Sequence, residues 1–363
     1  MILQVVFLVI ASIPIIATIA TLLKFDQWWI RVFDFPRMQI VVINLIAIVG
    51  LLSIFNWLET WEYAVLAALL FCLIFQGVKI FPYTPLAKKQ VIRFKGRNPD
   101  HTLSFMVSNV LTTNRKYQKL IKLVNKKKPD ILLTLETDKQ WEEALNGLED
   151  DYAYTVKIPL DNLYGMHLYS KLELEDAEVR HLVEEDIPSI RTWLKLPSGK
   201  KVRLYCLHPT PPSPTERDTS TNRDAELLMV GKEIEKNDHT AIVIGDLNDV
   251  AWSRTTKLFQ KISGLLDPRI GRGFFSTFHA GYPLFRWPLD HIFHSDDFTL
   301  VKLQRLPNIG SDHFPIYSVL HYEPRAEDVQ EGEEAEAEEE EWAEEKIEKA
   351  EPIQKIVARS YTS

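Results

Sequence analysis

Between residues 101 and 323, polar side chains of a narrow set of types recur at the carboxyl ends of short apolar runs. In order they are Asn109, Glu136, His208, Asp246 with Asn248, Asp290, and Asp312 with His313. Their settings are Met-Val-Ser-Asn, Leu-Leu-Thr-Leu-Glu-Thr, Tyr-Cys-Leu-His-Pro, Ile-Val-Ile-Gly-Asp-Leu-Asn-Asp, Pro-Leu-Asp-His-Ile-Phe and Gly-Ser-Asp-His-Phe-Pro. Singly, each has an ordinary explanation. A strand-end glutamate is usually a surface acid, an Asp-x-Asn after a strand is usually a turn or a helix cap, and a histidine before prolines caps a strand. As a series they point to a site, because α/β folds gather functional groups at the carboxyl ends of their strands. The set is rich in carboxylates. A hard divalent cation takes oxygen ligands, so Glu136 could bind Mg²⁺ with waters and a substrate oxygen completing the octahedron. Cys72 and Cys206 are far apart and form no CxxC pair, so a disulfide framework and a cysteine zinc site are both disfavoured.

The positioning elements follow from periodicity. Residues 103–107, 131–135, 202–207 and 241–244 are apolar runs bounded by polar or turn residues, as buried strands are. Residues 115–128 carry Tyr117, Leu120, Ile121 and Val124 at i, i+3, i+4 and i+7, the stripe of an amphipathic helix. Residues 223–236 form a similar helix ahead of the 241–244 strand. Two strand–helix–strand passages indicate a mixed α/β sandwich rather than a bundle or an all-β barrel.

On these motifs the sequence resembles the endonuclease/exonuclease/phosphatase family, which includes deoxyribonuclease I, exonuclease III and the neutral sphingomyelinases. The likeness covers roughly residues 101–322 and is greatest to bacterial membrane-bound members with several N-terminal helices. Gly245-Asp246-Leu247-Asn248-Asp249 and Gly310-Ser311-Asp312-His313-Phe314-Pro315 are its most specific parts. The resemblance implies a deoxyribonuclease-I-like four-layer α/β sandwich, two mixed sheets packed together with helices outside. It implies a phosphoesterase dependent on Mg²⁺ or Mn²⁺. In that reading Asp246 orients and deprotonates the attacking water, and Asn109 and Asn248 donate hydrogen bonds to phosphate oxygens. Glu136 and Asp312 serve the metal. His313 stabilises developing charge with Asp290 holding its imidazole, and His208 is a second histidine on the phosphate. One departure matters: some nucleases of the family place an aspartate two residues after the first Asn, where this chain has Leu111, which favours one metal over two. Arg223 is either a contact to the anionic ligand or an exposed first-turn arginine. His279, His291 and His294 are expected to be structural or on the surface.

The flanking regions differ in kind. Residues 2–23, 38–57 and 63–78 carry no formal charge. Crossing a ~30 Å hydrocarbon layer takes roughly 20 apolar residues, so residues 1–80 are expected to form three transmembrane helices. No basic side chain opens the first stretch, unlike a signal peptide. Residues 81–100 are expected to be an irregular basic linker along the membrane surface, attracted to anionic head groups. Counting Lys and Arg places everything after residue 79 in the cytoplasm, so the chain is expected in a bacterial cytoplasmic membrane, although large domains can be translocated regardless of charge. Residues 101–323 form the catalytic domain and 324–363 an acidic tail expected to be disordered. The tail holds fourteen acidic residues against Lys346 and Lys349 between 327 and 351. The net charge of −8 is therefore a property of the tail, and the nearly neutral body argues against tight duplex binding. The expected function is hydrolysis of a phosphodiester, phosphomonoester or pyrophosphate that is lipid-linked, with the lipid bilayer as a partner and no obligate protein partner evident. A nuclease acting on nucleic acid is the alternative. A non-catalytic membrane scaffold is a second one, but it predicts losses among the site residues, and none is lost.

Overall fold

The structure, a computed structural model, describes residues 2–54, 59–96, 98–353 and 355–358. Residues 55–57 of the second apolar stretch, Arg97 of the linker and the last residues of the tail lie outside the described residues. Helices α1 (Ile2–Leu22), α3 (Arg37–Ser53) and α4 (Thr60–Ile80) pack as a bundle, with the short α2 (Trp28–Arg31) between the first two. The helices meet at small residues. Gly50 leaves room for the Phe7 ring, and Ala11, Ala47, Leu51 and Leu69 fill the seam. Polar groups pair inside the bundle. Asn44 Nδ2 donates to the Leu69 carbonyl at 3.0 Å, and Gln76 Nε2 donates to Thr18 Oγ1 at 3.1 Å. The outer face is apolar and exposed, with Val9, Val49 and Ile74 all more than half accessible. Helix α1 and the Thr60–Tyr83 segment are long and apolar enough to cross a membrane, whereas α3 has 17 residues and is bent by 74° from the preceding Trp28–Asp34 segment.

The following residues form β1 (Thr102–Asn109), α5 (Tyr117–Lys127), β2 (Ile131–Leu135), α6 (Lys139–Leu145), β3 (Tyr154–Ile158), β4 (Met166–Ser170), β5 (Leu174–His181), β6 (Ser189–Lys195) and β7 (Lys201–Leu207). Then come α7 (Thr221–Asn237), β8 (Ala241–Asp246), α8 (Arg254–Ser263), β9 (Asp290–His294), β10 (Phe298–Arg305), β11 (Ile316–Tyr322), α9 (Ala337–Lys349) and β12 (Lys355–Ala358). Two six-stranded mixed sheets result, in the orders β10-β11-β1-β2-β4-β3 and β12-β5-β6-β7-β8-β9. Only β1–β2 and β7–β8 pair in parallel among the described strands, and each is joined through a helix as a parallel pair requires.

Period-two alternation builds the layers. Phe105, Val107, Leu133, Ile242 and Ile244 point between the sheets into one core. Met106, Leu132 and Tyr169 point outward against Leu120 and Val124 of α5 and Trp141 of α6. Tyr205, Val243 and Phe293 face Leu227 and Val230 of α7 and Phe259 of α8. Helix, sheet, sheet, helix is the expected four-layer sandwich. A cut such as Ile244→Ala in the central layer should cost about 2–5 kcal/mol, since the packed neighbours cannot close the void.

The linker is irregular as expected but packed, and part of the tail differs from expectation. In the linker Tyr83 is buried and donates to the Ala251 carbonyl at 2.6 Å, Val91 enters the central core, and Phe94 N–H bonds the Leu300 carbonyl at 3.0 Å. Apolar residues among the basic ones give it something to bury, while Lys88 and Lys89 stay exposed. Not all of the tail is unstructured. Helix α9 is closed at its start by a capping box of Glu336 and Glu339, and it lies on α7 and α8. Ala343 packs against Leu228, Leu258 and Ile262. Lys232 pairs with Glu340 at 2.8 Å, Lys261 with Glu339 at 2.9 Å, and Arg254 stacks 3.8 Å over Trp342. Like charges four apart oppose an isolated helix, but lysines supplied by distant segments offset them. Strand β12 then pairs antiparallel with β5.

Candidate active site

The carboxyl ends of β1, β2, β7 and β8 lie along one edge of the sandwich, and the loops before β9 and β11 return to it. Register does much of the placing. Asp246 ends β8 directly opposite Asp290, which begins the antiparallel β9. Gly245 allows the two central strands to approach, because a Cβ there would sit 1.9 Å from the Leu207 carbonyl oxygen. Glu136, at φ 59°, and Asn248, at φ 50°, turn the chain immediately beyond their strands and aim their side chains back across the edge.

Asp246, Asp290, His313, His208 and Asn109 are all buried. His313 Nδ1 and Asp290 Oδ2 are 2.8 Å apart, and His313 Nε2 lies 3.4 Å from Asp246 Oδ2. His208 Nε2 stands 4.0 Å from the same Asp246 oxygen. Asn109 Nδ2 donates to Glu136 Oε1 at 2.7 Å and to Asp246 Oδ2 at 3.1 Å. The Asn248 backbone N–H donates to Asp246 Oδ1 at 3.1 Å, while its Nδ2 donates to the Pro209 carbonyl at 2.9 Å. Asp312 sits on the loop beside these groups. Its backbone oxygen accepts from Ala280 N–H at 2.6 Å, and its carboxylate acts electrostatically on Glu136. All eight residues singled out from sequence thus converge on one edge.

Burial and charge set the protonation states. Loss of water lifts Asp246 above the usual carboxylate range, against the pull of His313. Burial would disfavour an imidazolium at His313, but Asp246 and Asp290 outweigh it and push its pKa up to about 10. His208 lacks that second carboxylate, and burial pulls it down to about 4, so it is a neutral imidazole near pH 7. Burial raises Glu136 to about 7 despite the hydrogen bond from Asn109.

A divalent cation fits this donor set. Glu136 forms no salt bridge to Lys or Arg among the described residues, and Asp312 and Asp246 add negative potential around it. A buried carboxylate in that situation is stabilised by a cation. Asp246, Asp290 and His313 offer ligand atoms all within 4.8 Å of one another and could also hold an ion. In that group, however, the facing atoms of Asp290 and His313 are already hydrogen-bonded to each other.

Supporting residues escaped the sequence reading. Tyr164 places its ring 5.1 Å from that of His208, and its hydroxyl donates to Glu216. Thr112 Oγ1 donates to the Glu136 carbonyl at 2.9 Å and fixes the turn. Neither stands in a motif, and no spacing signals it. Arg223 takes neither role expected of it. It is fully buried, donates to the Asn248 carbonyl at 2.8 Å, and lies 2.8 Å from Asp224 and 3.3 Å from Asp249. It clamps the loop from behind rather than facing a ligand. His291 and His294 are buried and structural, and His279 lies on the rim.

Residues 106–313 match the Endonuclease/Exonuclease/phosphatase family. The match spans more than half of the chain, and the protein belongs to that family. It is a hydrolase of phosphoester bonds. No curated protein matches it. Among solved structures, the human Nocturnin catalytic domain with bound sulfate is 16% identical with a TM-score of 0.51, over 65% of this chain and 97% of that one. D. rerio TDP2 complexed with a single-strand DNA product is 17% identical with a TM-score of 0.48, over 61% and 99% of the two chains. A family protein from Bacteroides thetaiotaomicron is 18% identical with a TM-score of 0.48, over 61% and 98%. At these identities the likeness is one of fold.

Proposed function

We propose that the protein is a membrane-anchored phosphoesterase dependent on Mg²⁺ or Mn²⁺, with a lipid-linked phosphate ester or pyrophosphate as its substrate. Residues 1–80 are the anchor, 81–100 the junction and 101–323 the catalytic domain, on the cytoplasmic side by the count of Lys and Arg. Polar pairing inside the helical bundle and an apolar exterior support the anchor, since spanning helices hide polar groups from lipid. Glu136 and Asp312 would hold the cation, which would compensate charge on the phosphate. Asp246 takes a proton from the attacking water. His313, oriented by Asp290, donates to a phosphate oxygen as charge develops. His208, Asn109 and Asn248 line the phosphate, with the amide of Asn109 turning from the carboxylates to the ligand.

The observation that carries the lipid reading is the loop between Phe278 and Trp287. At its base the Phe278 ring packs 4.9 Å from that of His313. At its tip Tyr282, Leu284 and Phe285 are exposed, Leu284 to 78%. The Leu284 carbonyl accepts from Gln39 Nε2 at 2.6 Å, in the first turn of α3. The apolar tip therefore touches the start of α3 in the helical bundle, on the loop whose base packs against His313. Exposed aromatic and apolar groups there suit the bilayer interface.

The test is a panel assay of the full chain with Mg²⁺ or Mn²⁺ against polyprenyl pyrophosphate, phospholipids, phosphoinositides, and single- and double-stranded DNA. Lipid-linked phosphate should be turned over fastest. Leu284→Asp/Phe285→Asp should depress that rate while sparing a small soluble phosphodiester. Faster cleavage of DNA than of every lipid would make the protein a nuclease.

A further inference from the structure

A second place on the membrane-proximal side has the shape of an amphiphile. An open cavity of about 1180 Å³ lies between the ends of the helical bundle, the linker, α8 and the acidic segment before α9. Its lining combines apolar, cationic and acidic groups. Leu22 of α1 and Phe75 and Val78 of α4 supply apolar surface within the candidate spans. Lys24 and Lys79, at the ends of those spans, join Lys88, Lys89 and Lys257 as a cationic wall. Glu327, Asp328, Glu331 and Glu333 form its acidic wall together with Glu336 and Glu338, and Glu333 is near enough to act electrostatically on Lys257.

None of these lysines or acids forms an ion pair with another described residue. Lys257 lies 5.3 Å over the Tyr83 ring, and the cavity's other cations are engaged as well: Lys261 with Glu339, Arg254 with Trp342, and Arg37 with Asp34. The acidic segment is held in place. Gln330 is buried and accepts from Ile92 N–H at 2.8 Å, while its Nε2 donates to the Asp296 and Phe298 carbonyls at 2.5 Å. Beyond it, α9 is docked on α7 and α8. A lining that carries both signs of charge disfavours a simple anion, because the carboxylates repel what the lysines attract. A ligand carrying both charges satisfies both walls.

We propose that this cavity binds a zwitterionic phospholipid head group. Its acyl chains would lie along α1 and α4, its phosphate against the lysines and its ammonium against Glu327, Asp328, Glu331 and Glu333. The site is separate from the hydrolytic edge and shares none of its residues. Phosphatidylethanolamine matches it best, since a primary ammonium can donate hydrogen bonds to carboxylates as well as carry charge.

The experiment titrates the full chain in detergent with short-chain phosphatidylethanolamine, short-chain phosphatidylglycerol and inorganic phosphate. The parent should bind the ethanolamine lipid about tenfold more tightly than the glycerol lipid, the scale of one favourable charge contact. Neutralising the acidic wall (Glu327→Gln, Asp328→Asn, Glu331→Gln, Glu333→Gln) should reverse that order. Neutralising the cationic wall (Lys88→Gln, Lys89→Gln, Lys257→Gln) should weaken both lipids by about tenfold or more. Both sets lie outside the hydrolytic machinery, so turnover of a small phosphodiester should stay at the parent rate. Should the lysine variant fail to fold, the parent's preference and its reversal still decide. Equal binding of the two lipids, an order unchanged by the acidic-wall variant, no binding of either lipid, or phosphate competing as strongly as lipid would each overturn the proposal.

Discussion

Two regions of this molecule are rich in carboxylates and use them in opposite ways. At the catalytic edge Glu136, Asp246 and Asp290 are drawn from β2, β8 and β9 and are largely removed from water. They meet amides and imidazoles instead of lysines. In the tail, fourteen acidic residues lie nearly consecutively, mostly exposed or paired with Lys232 and Lys261. Charge density therefore does not mark the chemistry. What separates the two is desolvation, which raises Asp246 and Glu136 and leaves them in want of a proton or a cation, while solvent screens the tail.

The comparison breaks most sharply at the edge. Asp246→Asn and His313→Ala should each lower turnover by about two or more orders of magnitude, the scale for loss of a general base or of a donor to developing charge. Folding should survive, as far-ultraviolet circular dichroism would show. Near-parent kcat with intact folding would remove the assigned roles. Glu136→Gln should weaken the response to metal, seen as a higher Mg²⁺ concentration at half-maximal rate. Asp290→Asn should act more mildly, because it only orients the imidazole.

The tail predicts smaller effects of another kind. Removing residues 326–363 should leave kcat on a small soluble phosphodiester within about twofold, since among the described residues none of the tail touches the reacting groups. It should nevertheless lower the melting temperature, because it uncovers Leu228, Leu258 and Ile262. Trp342→Ala removes the stacking with Arg254, worth about 0.5–1 kcal/mol, together with the packing of a half-buried ring on Leu228, Leu258 and Ile262, and should lower the melting temperature by several degrees. Glu344→Gln should do nothing measurable. Its pair with Lys232 at 3.2 Å is exposed, and such pairs contribute about 0.2–1 kcal/mol. A tenfold loss of kcat on truncation would show that the tail completes the site.

The same contrast explains what could be read from sequence. Strands β1, β2, β7 and β8 and helices α5 and α7 announce themselves by local periodicity, and the site residues follow because each ends or begins such a run. Residues without a local pattern stayed hidden. Tyr164 reaches His208 only through the packing of the loop before β4, and Arg223 looks like any first-turn arginine until the Asn248 loop folds over it. The docking of α9 was invisible for a related reason. Its own charges oppose a helix, and the lysines that reconcile them lie 78 and 108 residues away in the sequence. The bend before α3 likewise depends on how Trp28–Asp34 packs against the domain rather than on hydropathy.

The central claim is that this edge hydrolyses phosphoesters with a divalent cation and with Asp246 as base. The most direct measurement is turnover of bis(p-nitrophenyl) phosphate by the full chain after metal stripping, in excess EDTA and then with Mg²⁺ or Mn²⁺ restored. The account predicts loss of activity in EDTA, recovery on adding metal, and no recovery in Asp246→Asn. Undiminished turnover in EDTA, or full recovery in Asp246→Asn, would contradict it.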